Sequence, residues 1–109
     1  WVNIGGISYG SATRRFTVPQ AGTYRITMNP FKSSSVATAR VLVGINTDAP
    51  TPSAHRGHTY ASGGIYSTMS INSVVNLSAN DYIVFYLFEG GLWNSAGDRF
   101  NQFTIERIA

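Results

Sequence analysis

An all-β fold, an antiparallel jelly-roll sandwich of two sheets with about ten short strands, is what this sequence predicts. Three observations carry the prediction. β-branched and aromatic runs are separated by clusters of Gly, Pro, Asn and Ser. No stretch has the spacing of a long amphipathic helix. One segment, TYRITMN at 23–29, alternates strictly: Tyr24, Ile26 and Met28 fall on one face, Arg25, Thr27 and Asn29 on the other. That is the pattern of a half-buried strand in an antiparallel sheet.

The elements follow in order. ISYG (7–10) and RRFTVP (14–19) are expected as short strands flanking a polar turn, and QAG (20–22) as the turn before TYRITMN. ATARVLVGIN (37–46) sets Val41, Val43 and Ile45 on one face. Residues 47–66 are rich in Pro, Gly, Ser and Thr and are expected to be irregular, with a short strand near the end. STMSINSVVNLSAND (67–81) holds a strand anchored by Met69, Ile71 and Val74 or Val75, then a turn from Ser78 to Asp81. YIVFYLF (82–88) is the next strand, EGGLWNSAGDR (89–99) a loop, and FNQFTIERI (100–108) the closing strand. Nothing repeats internally, so residues 1–109 are expected to form one domain.

Composition narrows the function. Charged residues make up 12% of the chain, against a usual ~25%. Such a surface is expected to be partly covered by another subunit. The net charge is +3, but the arginines are dispersed apart from Arg14–Arg15, which argues against a nucleic-acid face. There is no cysteine, hence no disulfide framework or thiolate chemistry. The longest apolar run is the seven residues 82–88, too short to span a membrane. A start at Trp1 rather than Met is read as a domain excised from a longer fibre or stalk protein.

Ordered across the chain, several elements resemble the trimeric heads of complement component one, subunit q, and the related tumour-necrosis-factor superfamily. "FTVPQAGTY" supplies Phe16, Pro19, Gly22 and Tyr24 of the family's Phe-x-x-Pro…Gly-x-Tyr element. Asn3, Tyr9 and Gly10 match an upstream Asn…Tyr…Gly element. "SVVNLSANDYI" supplies Ser73, Leu77, Asp81 and Ile83, with Asn80 where Gly is usual; both residues tolerate a left-handed turn. "FNQF" matches the closing Phe-x-Gly-Phe through Phe100 and Phe103, with Gln102 replacing Gly. These departures point to a distant, bacterial or phage-type member. The resemblance implies a jelly roll that assembles as a homotrimer.

It also bears on the greasy strand. Ile83, Phe85 and Leu87 are expected to fill the sandwich, while Tyr82, Val84, Tyr86 and Phe88 face the other way. Leaving four such side chains in water is costly, at ~1.5–3 kcal/mol each. They are therefore expected to form the trimer interface. The alternative is that loops or a neighbouring sheet cover them within one subunit.

Candidate ligand residues lie in two loops. His55, Arg56, His58 and Tyr60 gather donors and a ring in "AHRGHTY". The HxxH spacing lacks a third and fourth metal ligand nearby, with Asp48 the one acidic candidate, so two exposed loop histidines are expected rather than a metal site. In "GGLWNSAGDR", Trp93 sits where no strand period demands it, and either stacks on a sugar or caps the sandwich; Asn94, Asp98 and Arg99 add polar groups. Asp48, Asp81, Glu89 and Asp98 are candidates for calcium, which some relatives bind, but no loop has the dense carboxylates of a dedicated site. No cofactor is expected. Asn76-Leu77-Ser78 fits a glycosylation sequon. No nucleophile elbow, phosphate loop or HExxH is present, and a Glu89–Asp98 carboxylate pair is the residual enzymatic option. The expected function is a non-enzymatic receptor- or glycan-binding head at a fibre tip, extracellular or on a virion surface. A structural trimerisation or capsid-decoration domain is the alternative, and a carbohydrate-binding module the second.

Overall fold

In the computed structural model the described residues are 2–4, 6–33, 36–63, 67–92 and 102–109, with side chains described for all of these but 2–4 and 102. They form strands and turns only, with no helix long and apolar enough to cross a membrane. Eleven strands are present among them: β1 Val2–Ile4, β2 Ser8–Gly10, β3 Arg15–Thr17, β4 Gly22–Asn29, β5 Phe31–Lys32, β6 Thr38–Ile45, β7 Gly57–Ser62, β8 Ser67–Thr68, β9 Ile71–Leu77, β10 Tyr82–Gly90 and β11 Gln102–Arg107.

Two sheets face each other. One has the order β1-β11-β4-β9, the other β2-β3-β10-β6-β7, and β5 pairs with β8 in a small third ladder. All pairings are antiparallel except β1 with β11. The expected jelly-roll sandwich is therefore the observed fold.

The pleat explains the core. Along β4, Tyr24, Ile26 and Met28 are buried while Arg25 and Asn29 are exposed. β11 registers Ile105 on Ile26 and β9 registers Ile71 on Met28, so inward side chains of three strands meet in rows. Val41, Val43 and Ile83 answer from the second sheet, and Phe16, Phe85 and Phe103 bring their ring centroids within 5.0–5.9 Å of one another.

The motif residues have identifiable work. Phe16, Tyr24, Leu77 and Ile83 are core residues, and the Tyr24 hydroxyl donates to the Gln20 carbonyl at 2.8 Å. A Cβ at Gly22 would overlap the Arg107 guanidine and the Ala109 carbonyl, so the closing strand passes close over it. Asn80 has φ +70°, the left-handed conformation expected at its turn. Phe100 lies outside the described residues.

β10 departs from the expected pattern in two ways. It runs to Gly90 rather than Phe88, with a register shift between Leu87 and Glu89 that leaves Phe88 as a bulge. Leu87, expected inside, is 40% exposed. β3 pairs only with Tyr82 and Ile83, so no described strand borders that flank of β10 further along. The short strand expected near the end of 47–66 is β7, six residues long, whereas the β5–β8 pair had no signal in the sequence.

Candidate functional site

The outward face of the five-stranded sheet can be built from register. β6 sends Arg40, Leu42 and Gly44 outward, and β7 places Tyr60 beside Arg40 and His58 beside Leu42. On the other side, β10 places Val84 beside Gly44, Tyr86 beside Leu42 and Glu89 beside Arg40. β3 adds Thr17 opposite Tyr82. His58 and Tyr60 thus share one face with Tyr82, Val84, Tyr86 and the bulged Phe88. Two groups of residues given separate expected roles, ligand contact and subunit interface, compete for the same surface.

That surface has two zones. At the first, the subunit covers itself. Arg15 stacks 4.2 Å over the Tyr82 ring and forms a two-pronged pair with Asp48, at 2.8 and 2.6 Å. The 47–50 segment folds back across Gly44, where a Cβ would lie 2.8 Å from the Thr47 carbonyl. Val84 is left 5% exposed. For Tyr82 and Val84, therefore, most of the second greasy face is covered from within. The Arg15 guanidinium holds the Asp48 carboxyl below the usual carboxylate range, and Asp48 raises Arg15 in return.

The second zone is open. The Arg40 guanidinium lies between two rings, 5.0 Å from Tyr60 and 6.0 Å from Phe88. Arg40 Nε is 3.2 Å from Glu89 Oε1, a contact of charges without an aligned hydrogen bond. Tyr60 is 46% and Phe88 40% exposed. His58 adjoins them, its ring centroid 5.5 Å from that of His55. Desolvation lowers the His58 pKa from its usual 6.5, and the charges of His55 and Arg40 push the same way. The neutral ring is thus favoured at His58, and it can donate one hydrogen bond and accept another.

Of the expected ligand residues, His55, His58 and Tyr60 come together here. Arg56 lies at the sandwich edge, lining a cleft with Val74 to Leu77 of β9. Trp93, Asn94 and Arg99 lie outside the described residues. Sequence reasoning missed Arg40, whose role depends on cross-strand register. It also missed Lys32, fully buried, whose Nζ donates to the Ser33 and Val36 carbonyls at 2.9 Å each.

No three His, Asp or Glu side chains converge among the described residues. Of the calcium candidates, Asp48 is paired with Arg15 and Glu89 with Arg40. Asp81 accepts from the Ser78 N–H at 2.8 Å and the Asn46 Nδ2 at 2.9 Å, which holds its carboxyl below the usual range.

Architecture and face together define a jelly roll that displays rigid, strand-borne aromatic and cationic groups. Among solved structures, the chain is similar to the globular domain of zebrafish complement 1qA protein. The TM-score is 0.56 and the identity 15%, over 89% of this chain and 68% of that one. This likeness shows a shared fold. No family model matches the chain, and no curated protein matches it by sequence.

Proposed function

We propose that this chain is a non-enzymatic recognition head that assembles as a homotrimer and binds a surface glycan through the Tyr60–Arg40–Phe88 face. One observation carries the reading: two exposed rings flank a guanidinium on strands, not on mobile loops. Exposed rings on a rigid base supply a flat apolar surface with polar edges, which suits the C–H face and hydroxyls of a sugar. Glu89 and neutral His58 supply acceptors, and Arg40 and His58 supply donors. A homotrimer fits the low charge and the likeness of fold, and three copies would hold a multivalent surface by avidity. Tyr86 is the candidate for the subunit contact, with Val84 and Tyr82 contributing little new buried area and Phe88 given to the glycan. We place the head at a fibre tip, outside the cell or on a virion of phage type.

A glycan array with the wild-type domain and the Tyr60→Ala, Phe88→Ala and Trp93→Ala variants tests this. Binding is expected to fall about tenfold or more for Tyr60→Ala and Phe88→Ala. If both bind as well as wild type, the site is misassigned. If no glycan binds at all, the purely structural decoration domain takes its place. A monomer by light scattering at micromolar concentration removes the trimer.

A further inference from the structure

Around the edge of β7 from the aromatic face, two clefts of about 320 and 380 Å³ flank one side chain, Arg56. They share Ile45 and Arg56. One continues over Val75, Asn76 and Leu77, the other past Thr47 and His55. Each is at the small end of ligand sites, which run about 300–1,000 Å³.

The lining is unusual in its charge. No Asp or Glu borders either cleft. Arg15, Arg25 and Arg40 are each paired with a carboxylate, whereas Arg56 makes no ion pair among the described residues. Its backbone is nevertheless fixed: the N–H donates to the Val43 carbonyl at 2.9 Å, and the carbonyl accepts from the Ser73 hydroxyl. Asn76 Oδ1 is already occupied by the Thr23 hydroxyl at 2.8 Å, which leaves its NH₂ as the group for a ligand. Arg56 and the Asn76 NH₂ thus bring donors to these clefts, beside an apolar lining that includes Ile45, Val75 and Leu77.

We infer that this edge binds an acidic saccharide, with the acid group on Arg56 and the sugar ring against the apolar lining of Ile45 and Val75. A guanidinium takes a carboxylate or sulfate through two parallel hydrogen bonds, which a lysine cannot reproduce. Asn76 donates to a ring hydroxyl or to the acid. The site meets the aromatic face at His55, which lines one cleft and stacks near His58, but it is built without Tyr60 or Phe88.

The test is an NMR titration with a glucuronic-acid-containing disaccharide, its methyl ester, and sodium sulfate. The acid is expected to shift the Arg56 and Asn76 amide resonances. Its affinity is expected to fall at least tenfold in Arg56→Gln and to fall less in Arg56→Lys. Arg56 is exposed and held through its backbone, so Arg56→Gln should keep the wild-type urea midpoint. Equal affinity for acid and ester overturns the inference, as does an unaltered Arg56→Gln. So does sulfate alone giving the same shifts at the same concentration, which would mark a free-anion site. Failure of the aromatic-face variants in the array leaves this result untouched.

Discussion

Removing the Asp81 carboxylate tests how one end of the sandwich is tied. Asp81 accepts from Ser78 and Asn46, while the Asn46 side-chain carbonyl accepts the Tyr82 N–H at 3.0 Å. The Asp81 backbone carbonyl accepts from Val18 at 2.9 Å, so strands from both sheets converge here. Hydrogen bonds to a charged group are worth about 1.5–3 kcal/mol each, but these lie near the surface, where ionic contributions shrink toward about 0–1 kcal/mol. Asp81→Ala is therefore expected to cost about 1–2 kcal/mol in all, or about 5–10 °C in Tm. Urea unfolding at pH 7 measures this as a lower midpoint at unchanged slope. The pH dependence sharpens the test. The folded-state pKa of Asp81 is lowered, first by Asn46 and then by the Ser78 N–H, from the ordinary 3.8. Its contribution is thus present above that value and lost as pH falls through the lowered one. Wild type and variant should converge in strong acid. A cost below about 0.3 kcal/mol at pH 7, or a gap that persists unchanged at pH 2, refutes the reasoning.

Two further expectations follow from geometry. Asn80 holds φ +70°, so Asn80→Ala should cost about 1–2 kcal/mol by urea unfolding, whereas Asn80→Gly should stay within about 0.5 kcal/mol of wild type. His58 should titrate below 6.5 by NMR because burial and then His55 and Arg40 disfavour its charge, and His55→Ala should move it back upward. With a lowered folded-state pKa, the neutral ring supports stability above about pH 6.5 and that support is lost as pH falls through the folded value; His58→Gln should flatten this part of the profile.

The fold was legible where side chains repeat with the pleat. Tyr24, Ile26 and Met28 announced β4, and the turn at Asn80 announced its own backbone, because both depend on residues close in sequence. What failed depends on distant partners. Leu42 is fully buried on the outward face, and Val84 is 5% exposed beside Gly44, across which the 47–50 segment, more than thirty residues earlier in the chain, folds back. No local pattern separates that from an exposed greasy face. Arg40 reads in sequence as one dispersed cation; its place between Tyr60 and Phe88 exists only once β6, β7 and β10 are in register. Lys32 stands between Phe31 and a run of three serines and gave no sign that its amine would be enclosed by two carbonyls. The candidate site was half legible for the same reason: His55, His58 and Tyr60 are neighbours in sequence, while their partners are not.

The bulge at Phe88 makes the register of this run a heritable constraint. Leu87 registers on Val41, and the extra residue lets Glu89 register on Arg40. Straightening the bulge with every residue kept would put Phe88 opposite Arg40 and slide Glu89 opposite Ala39, which is fully buried, carrying a carboxylate into the interior. Gly90, at φ +81°, would leave the one spot where its missing Cβ avoids the Thr38 carbonyl. Descendants of this sequence can therefore exchange the exposed side chain at 87 freely, yet Glu89 should keep its place opposite Arg40 and Gly90 its place opposite Ala39 while neighbouring turns gain and lose residues.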